Sequence, residues 1–410
     1  MSDSADELDE WLARVTGPEW VWHVKYISAN DTYAKPNVHQ GGPYVGKELL
    51  RLAFPQLSVR ADRDSNPNLM LSVAVRSHNL LQDVRLVWYN SRRLEHRQSG
   101  RDEARLTQWG GKEHPLVAED TTGSLVAFAF HAPKADADAD GCEVWISRSH
   151  EQEDRILDAV GPVEPGSGIV FQGSTGQLVR KVRADLPCSL QASELLPEWL
   201  AAFPSGDDIL EMALQRLPSS GTLAPDARLL KRRDCEYSLF LSIESHVAMP
   251  RVAAGFRTVE EFVAFANSVT NRRKSRAGKS LELQARVIFR EESVEHSWGP
   301  MTEGNRRPDF IFPSIGAYHE AKRPSERLRM LAAKTTCKDR WRQILNEAER
   351  IPVKHLLTLQ EGVSEPQYRE MKDEGVRLVV PTALHRAYPD SVQPELLSLE
   401  QFVGEAKAIA

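Results

Sequence analysis

Asp309 and Lys334 stand where two predicted strands could bring an acid and an amine together. Asp309 opens the apolar run Phe310 to Phe312, which is bounded by prolines on both sides and is typical of a short buried strand. A second strand is predicted over Leu328 to Thr336, with Lys334 near its end. We expect the lysine side chain to emerge beside the carboxylate of Asp309.

A helix predicted directly after this strand supplies a second acid. Arg340, Gln343 and Glu347 lie at positions i, i+3 and i+7, so they share one face of a helix over Asp339 to Arg350. The buried stripe of that helix consists of Trp341, Ile344, Leu345 and Ala348. One acid, one lysine and a second acid can therefore converge.

These side chains suit metal-assisted hydrolysis of a phosphodiester. Asp309 and Glu347 could hold a hard divalent cation such as Mg2+ through oxygen, and Lys334 could orient the attacking water and offset charge on the transition state. Glu282 is a candidate third acid, on a helix predicted over Lys279 to Glu291. Single carboxylates on helices are usually solvated surface groups, but their joint occurrence favours the catalytic interpretation.

A competing assignment uses Glu320 and Lys322. With Asp309 they give the PD...ExK nuclease pattern at ordinary spacing. The pattern is short enough to occur by chance, and here it runs straight into Arg323-Pro324, which is typical of a turn. It stays the second choice.

Several segments around these residues are distinctive: SRAGKSLE, TEGN, PDF, AYH, KTTCKDRWRQILNEA, LLTLQEGVS, QYREM and GVRLVVP. They resemble the EcoRII family of type II restriction endonucleases, within the PD-(D/E)xK superfamily. In that family the PD acid is paired with a lysine on the next strand and a glutamate on the following helix. The resemblance implies Asp309, Lys334 and Glu347 as the catalytic set, with Glu282 as an extra acid and Tyr318 as a residue close to the site.

The composition is that of an ordinary soluble protein. The chain has 410 residues, 41% hydrophobic and 27% charged, which excludes disordered, collagenous and disulfide-scaffold classes. We expect a cytoplasmic protein with no membrane span, because no window approaches 18 apolar residues and the acidic start does not resemble a signal peptide. The cysteines are far apart and are expected to be reduced thiols: Cys142, Cys188, Cys235 and Cys337. A net charge of -6 argues against a histone-like binder but leaves local DNA binding open.

The first half of the chain is predicted to be mostly β. Strands are predicted over Trp20 to Ile27, Leu69 to Val75, Val84 to Tyr89, Leu125 to Phe130 and Glu143 to Ile146. A loop over Asn90 to Glu113 carries five arginines and Trp109. Such a loop can be an ordinary solvated connection, or it can reach phosphates and base edges.

The family resemblance favours the DNA-binding interpretation of that loop. The amino-terminal domain of the family is a DNA-binding pseudobarrel that grips DNA with two arms, and the matching arms here are Ser28 to Gln40 and Arg101 to Lys112. The implied DNA-contacting residues are Lys25, His39, Arg101, Arg105 and Trp109. The second arm departs from the family pattern, because Gln108 and Gly111 stand where arginines are expected.

A loss of periodicity near Pro187 places a hinge between two domains. The predicted division is residues 1–183 for the DNA-binding effector domain, 184–193 for the hinge and 194–410 for the endonuclease domain. Helices are predicted over Leu195 to Phe203, Asp207 to Leu217, Cys235 to Val247, Val259 to Ser268, Lys279 to Glu291 and Glu365 to Asp373, and further strands over Lys354 to Leu359 and Val376 to Pro381. The expected fold class is α+β and multidomain, with a β-rich DNA-binding pseudobarrel followed by an α/β restriction-endonuclease-like domain, in which helices flank a central sheet.

Basic residues concentrate in the second half. The clusters Lys231-Arg232-Arg233 and Asn271 to Lys279, which includes Lys274, are interpreted as a surface that grips phosphates. The tripeptide Lys338-Asp339-Arg340 is more specific, since the cations can donate to guanine and the acid can accept from cytosine. The resemblance implies that this tripeptide reads the outer pairs of CCWGG, where W is A or T, and that Arg233 and Tyr237 handle the central pair, whose bases are extruded.

These inferences predict a Mg2+-dependent, homodimeric type II restriction endonuclease acting on double-stranded DNA. A two-fold dimer fits a near-palindromic target. The resemblance also implies autoinhibition by the amino-terminal domain until a second copy of the target is bound, and a cognate DNA methyltransferase as a functional partner. Two rival hypotheses stay open: a non-cleaving, sequence-specific DNA-binding regulator, and a repair or modification-dependent nuclease of the same fold.

Overall fold

The structure, a computed structural model, describes residues 3–34, 41–91, 102–161, 163, 165–166, 168–173, 188–338 and 340–409. The predicted DNA-contacting residues His39, Arg101 and Asp339 lie outside the described residues. The chain divides into two compact units. One comprises Met1–Arg180, Gln360–Tyr368 and Arg386–Pro394, and the other comprises Lys181–Leu359, Arg369–His385 and Glu395–Ala410.

An eight-stranded sheet forms the first unit. Its strands are β1 (Trp20–Tyr26), β2 (Tyr44–Val45), β3 (Asn68–Val75), β4 (Leu80–Tyr89), β5 (Glu103–Thr107), β6 (Leu125–His131), β7 (Gly141–Ile146) and β8 (Gly168–Gln172). Its helices are α1 (Asp3–Arg14), α2 (Lys47–Ala53), α3 (Pro55–Arg60) and α4 (His150–Val160). The strand order is β2-β5-β4-β3-β7-β6-β1-β8, and only β3 and β7 are parallel neighbours.

Both faces of this sheet are buried around its central strands. On β6, Phe128 and Phe130 face one apolar core, whereas Ala127 and Ala129 face another. Successive side chains of a strand point to opposite faces, so an apolar run such as LVAFAF can fill two cores at once. The second core is closed by α1 and α4.

All five strands predicted for the first half are present, but the predicted loop over Asn90 to Glu113 is wrong in part. Residues Glu103–Thr107 form β5, where Ala104 and Leu106 are buried and Arg105 lies between them. The charged residues around this short alternation hide it from a search for apolar periodicity.

The second half contains a five-stranded mixed sheet and eight helices among its described residues. The strands are β9 (Ser297–Trp298), β10 (Phe310–Phe312), β11 (Arg329–Ala333), β12 (Lys354–Leu357) and β13 (Val376–Val379). The helices are α5 (Pro197–Ala201), α6 (Gly206–Arg216), α7 (Pro225–Ala254), α8 (Val259–Glu291), α9 (Ile315–His319), α10 (Glu365–Asp373), α11 (Thr382–His385) and α12 (Leu399–Ala408). The order is β13-β12-β11-β10-β9, with β11 to β13 parallel and β9 to β11 antiparallel.

Apolar side chains of two helices pack on this sheet and fix its position. Phe289 of α8 and Phe402 of α12 contact Phe312 of β10 with ring centroids 5.1 and 5.3 Å apart. Aromatic pairs of this kind add packing energy to the burial of their area. The predicted fold class, a β-rich domain followed by an α/β domain with a sheet covered by helices, is confirmed.

One long helix replaces the two that were predicted over Val259 to Ser268 and Lys279 to Glu291. The helix α8 is continuous for 33 residues and runs beside α7, which has 30. The basic stretch in its middle stays helical because Arg273 and Arg276 pair with acids of α7.

Two of the four cysteines are joined, so the expectation of four reduced thiols is wrong for this pair. Cys188 and Cys235 form a disulfide with their Cα atoms 5.1 Å apart, and it ties the segment before α5 to α7. Cys142 and Cys337 are free and buried. The bonded cysteines are 47 positions apart in the sequence, and this separation gives no hint of their proximity in the fold.

Over the described part of the chain, every helix is either too short or too polar to cross a membrane.

Candidate active site and DNA-contacting residues

Asp309 and Lys334 meet at the ends of two neighbouring strands. Asp309 immediately precedes β10, and Lys334 immediately follows β11. Asp309 Oδ2 accepts a hydrogen bond from the backbone nitrogen of Ala333 at 2.7 Å and another from Lys334 Nζ at 3.2 Å. The Asp309 side chain is 17% exposed and that of Lys334 is 26% exposed, so solvent or a ligand reaches both groups.

Glu347 carries a carboxylate that the fold leaves partly unsatisfied. Its Oε2 atom is buried and has no hydrogen-bond partner. Burial, and secondly the charge of Asp309, raises the pKa of Glu347 to about 7, while Lys334 and Lys354 oppose this shift. The electrostatic influence of Asp309 and Lys334 on Glu347 indicates that the three groups are near one another.

The segment that carries Glu347 is not the predicted α-helix. Residues Arg340–Ile344 form a 3-10 helix, and turns follow up to Arg350. Ala348 has a φ of +49°, in the left-handed region, which an α-helix cannot contain. The face predicted to join Arg340, Gln343 and Glu347 is therefore not a helical face.

A buried lysine holds this segment in place of helical hydrogen bonds. Lys354 Nζ donates to the carbonyl oxygens of Glu347 at 2.6 Å, Ala348 at 2.8 Å and Ile351 at 2.6 Å. An ammonium group has three protons to donate, and here each has an acceptor. Trp341 and Ile344 anchor the start of the segment in the apolar interior.

Glu282 approaches the same acids from α8. Its carboxylate accepts a hydrogen bond from Trp298 Nε1. Burial, and secondly the charge of Asp309, raises the pKa of Glu282, while the Trp298 hydrogen bond and Lys334 oppose the shift. The predicted third acid is thus electrostatically coupled to the Asp309 and Lys334 pair.

Tyr318 supports the turn after Glu347. Its hydroxyl donates to the carboxylate of Glu303, with 2.6 Å to each oxygen, and accepts from the backbone nitrogen of Arg350 at 3.3 Å. Burial, and secondly Glu303, raises the pKa of the phenol. Glu303 also accepts from the backbone nitrogen of Glu349 at 3.4 Å. These contacts bind Tyr318 to the segment of Glu347.

The alternative pair Glu320 and Lys322 lies on the turn after α9. Both side chains belong to exposed residues. The ammonium that contacts Asp309 belongs to Lys334.

The fit of a metal ion rests on the pair Asp309 and Glu347. In residues 3–34, 41–91, 102–161, 188–338 and 340–409, no three His, Cys, Asp or Glu side chains lie close enough together to hold one ion. The donor chemistry nevertheless suits a hard divalent cation, because both groups offer carboxylate oxygen and Glu347 Oε2 is buried without a partner. A cation would offset both the burial and, secondly, the charge of Asp309 that raise the pKa of Glu347.

Residues predicted to read DNA lie on two elements of the second unit. Arg340, at the start of the 3-10 helix, is partly buried, and its Nε atom has no hydrogen-bond partner. Lys338 is also partly buried. Arg233 and Tyr237 lie one turn apart on α7, and the guanidinium of Arg276 lies 4.3 Å from the centroid of the Tyr237 ring.

Two arginines of the basic stretch of α8, which was predicted to grip phosphates, are paired with acids inside the fold. Arg273 donates to both oxygens of Glu244, and Arg276 Nε donates to Glu236 Oε1 at 3.1 Å. In the other basic cluster, Arg232 is buried against Glu291, with two hydrogen bonds of 2.8 Å. These three arginines are internal ion pairs. Lys274 and Lys279 are exposed.

Three of the five residues predicted to contact DNA from the first unit, namely Lys25, Arg105 and Trp109, make contacts within its fold. Lys25 Nζ lies 2.9 Å from Asp31 Oδ2. Arg105 Nη1 donates to the carbonyl oxygen of Asn30, in the first arm, at 3.1 Å and to that of Gly42, just after the arm, at 3.2 Å. Trp109 is 2% exposed, and its Nε1 donates to Leu106 at 2.8 Å. Contact between the Trp109 ring and DNA would require the ring to leave the core.

Comparison with known proteins identifies the family. A model described as Restriction endonuclease EcoRII, N-terminal, matches residues 16–175, and one described as EcoRII C terminal matches residues 240–403. The type II restriction enzyme EcoRII of Escherichia coli is 43% identical over 398 residues, which cover 96% of each chain. The chain belongs to the EcoRII family of type II restriction endonucleases.

As a member of the EcoRII family, the chain is a site-specific deoxyribonuclease, and the resemblance noted in the sequence is confirmed. Two solved structures are more distant neighbours. Metal-depleted Ecl18kI in complex with uncleaved, modified DNA has a TM-score of 0.44 and 17% identity, covering 52% of this chain and 80% of that one. The PspGI restriction endonuclease–substrate DNA complex has a TM-score of 0.43 and 16% identity, covering 50% and 93%.

The sequence interpretation missed Lys354, Glu303 and Trp298, which contact the acids of this candidate site or the residues beside them. Lys354 had a signal, because a charged residue opens the apolar strand KHLL and a lysine there needs acceptors. Glu303 and Trp298 had none, since their partners Tyr318 and Glu282 lie 15 and 16 residues away with no periodic relation.

Proposed function

We propose that this enzyme cleaves double-stranded DNA at CCWGG by Mg2+-dependent phosphodiester hydrolysis, as a homodimer. The observation that carries the proposal is the contact of 3.2 Å between Lys334 Nζ and Asp309 Oδ2, with the unpartnered oxygen of Glu347 coupled to the same pair. Membership of the EcoRII family supports the proposed target and subunit arrangement.

The proposed division of labour follows from the charges. Asp309 and Glu347 would hold Mg2+, and the ion would supply Lewis-acid chemistry at the scissile phosphate. Lys334 orients water at the phosphate and offsets negative charge that develops there, since its ammonium lies at the mouth of the site. Glu282 adds a third carboxylate from α8. Tyr318 keeps the turn after Glu347 in place.

Target recognition is assigned to two groups of side chains. Lys338, Asp339 and Arg340 read the outer G·C pairs through guanine acceptors and the cytosine amino group. The role of Arg340 is supported by its Nε atom, which is buried and has no hydrogen-bond partner within the protein. Arg233 and Tyr237, one turn apart on α7, bind the extruded bases of the central pair.

Residues 1–183 are proposed as an effector domain that binds a second CCWGG copy and relieves autoinhibition, with residues 184–193 as the hinge and 194–410 as the endonuclease domain. Lys25, Arg105 and Trp109 hold the arms in shape, and His39 and Arg101 contact DNA. The cell is expected to hold a cognate DNA methyltransferase, because an enzyme of this type would otherwise cut its own genome.

The test is cleavage of plasmids that carry CCWGG or a single-base variant of it. We expect Mg2+-dependent double-strand cuts at CCWGG and none at the variant site. Binding without cutting would favour the DNA-binding regulator, and cutting that follows lesions or methylation would favour the modification-dependent nuclease.

Regulation is tested with the full chain and a plasmid that has one site. Autoinhibition predicts that a short CCWGG duplex added in trans accelerates cleavage, because it favours the open state by its differential affinity. A domain that merely tethers DNA predicts slower cleavage through competition. A duplex with a scrambled site is the control.

A further inference from the structure

We propose that Lys354 is a positioning residue that fixes the turn bearing Glu347 and thereby holds its carboxylate toward Asp309. The proposal rests on the metal-holding role given to Glu347 above. It assigns a role to a lysine that belongs to none of the predicted motifs and is only 5% exposed.

The position of Lys354 is itself fixed by the sheet. Lys354 is the first residue of β12, and its backbone nitrogen donates to Gly375 at 2.9 Å. Beyond it, β12 pairs in parallel with both β11 and β13, so the strand cannot shift without breaking two ladders. Its side chain therefore starts from a rigid part of the fold.

Three carbonyl groups of the Glu347 segment converge on the ammonium of Lys354. The distances are 2.6 Å to Glu347, 2.8 Å to Ala348 and 2.6 Å to Ile351. In an α-helix these oxygens would accept from backbone nitrogens four residues later, but Ala348 in the left-handed region interrupts that pattern. Ala348 O also accepts from the backbone nitrogen of Ile351 at 2.9 Å, and for Glu347 and Ile351 the buried cation takes the place of a backbone donor.

Removal of the ammonium would leave the carbonyl oxygens of Glu347 and Ile351 without this donor, whereas Ala348 would keep the hydrogen bond from Ile351 N at 2.9 Å. A buried carbonyl without a donor is unfavourable, so the turn would rearrange to find water or other donors. The first of the three oxygens belongs to Glu347 itself, so rearrangement moves the acid that is proposed to hold the metal. Polar groups that orient metal ligands typically change metal affinity by about 10- to 100-fold when they are removed.

A purely structural lysine would behave differently from a positioning residue. Loss of a structural contact lowers stability and leaves the metal response of the folded protein unchanged. Loss of a positioning contact weakens the metal response itself. Arg232 provides the matched control, because it is 3% exposed, is bonded to Glu291 and Ser220, and has no role in the proposed site.

The experiment compares the full-length wild type with Lys354→Met and Arg232→Met. The first measurement is the rise in melting temperature that Mg2+ produces without DNA, which reports binding to the folded state. The second is the Mg2+ concentration that gives half-maximal cleavage, alongside DNA affinity in EDTA. For Lys354→Met we expect a smaller Mg2+-induced rise and an increase of about tenfold or more in the Mg2+ requirement. DNA affinity in EDTA should be unchanged, and Arg232→Met should melt earlier with a normal Mg2+ response.

A normal Mg2+ response in folded Lys354→Met, or an equal loss of response in Arg232→Met, would overturn the proposal. If Lys354→Met does not fold, Lys354→Arg carries the test, since a planar guanidinium cannot direct three protons from one nitrogen at converging carbonyls. We expect it to need several times more Mg2+ than wild type, and a wild-type response contradicts the proposal. If neither variant folds, the lysine is a folding determinant and the proposal fails. Full cleavage by Glu347→Gln would instead refute the role given to Glu347.

Discussion

The acids around Asp309 were predicted to bind a metal ion, and the arginines of α8 were predicted to bind DNA phosphates. The two groups differ in whether their buried polar atoms have hydrogen-bond partners inside the protein. Glu347 has a buried oxygen without a partner, whereas Arg273 and Arg276 donate to Glu244 and Glu236. Buried polar groups in native proteins are nearly always paired. An unpaired buried acid is therefore a group prepared for a ligand, and a paired buried cation is part of the framework.

The same distinction applies in the first unit. Arg105 bonds to backbone oxygens of Asn30 and Gly42, and Lys25 pairs with Asp31. Both residues use hydrogen bonds to hold the backbone or side chains at the first arm. Charge in a sequence indicates where DNA could bind, but satisfied and unsatisfied charge can be told apart only in three dimensions.

The largest effect, a loss of cleavage rate, is expected from Lys334→Ala. Removing the ammonium beside Asp309 takes away charge stabilisation in the transition state, and such losses typically slow reactions by about 100- to 1,000-fold or more. DNA binding should stay nearly unchanged. Single-turnover cleavage and a filter-binding assay measure the two quantities. Lys322→Ala is the matched control, and greater loss in that variant would restore the PD...ExK assignment.

A large effect on stability alone is expected from Arg276→Met. The substitution leaves Glu236, which is 3% exposed, buried without its cation. Breaking a buried pair in this way costs about 3 to 5 kcal/mol of the free energy of unfolding. Urea denaturation measures it. Lys274→Met, two residues earlier and exposed, should change stability by less than about 0.5 kcal/mol. If Arg276→Met were stable and flattened the salt dependence of DNA binding, the arginine would be a DNA contact after all.

Much of the site was predictable because its strands carry strong local signals. Asp309 and Lys334 flank short apolar runs, and buried runs of that kind become neighbouring strands. The backbone conformation at Glu347 was not predictable. The buried residues Trp341, Ile344 and Ala348 are three and four positions apart in the sequence, and this spacing fits an α-helix but is found here in a 3-10 helix followed by turns. The pairing of Arg273 and Arg276 was hidden because their acids lie 29 and 40 residues away in the sequence.

A moderate, position-specific effect is expected from Arg340→Ala. A bidentate contact to guanine is worth about 1 to 3 kcal/mol at one base pair, so discrimination should fall at that pair and persist at the others. Lys274→Ala is the comparator, because an exposed cation that contacts phosphate weakens binding to all sequences and reduces the salt slope by about one. Competition binding with single-substituted duplexes measures both. Uniform weakening by Arg340→Ala would contradict the readout role.

The smallest effect concerns the unpaired acid itself, in the absence of divalent metal. Burial raises the pKa of Glu347 to about 7 in the fold, against an ordinary value of 4.5 in the unfolded chain. Between these values the folded state holds a proton that the unfolded state has lost, so this contribution to the free energy of unfolding is complete below about pH 4.5 and is lost as the pH rises through about 7. Glu347→Gln should remove this decline, and the difference between wild type and variant should vary with pH over that window only. Urea denaturation in EDTA at several pH values measures the difference, in which the other titrating groups cancel.

Because water reaches part of the Glu347 carboxylate, this change in the free energy of unfolding should be smaller than that caused by Arg276→Met. If the free energies of unfolding of the two proteins varied with pH in parallel, Glu347 would titrate normally. The contrast between an acid without a partner and arginines with partners would then not hold for Glu347.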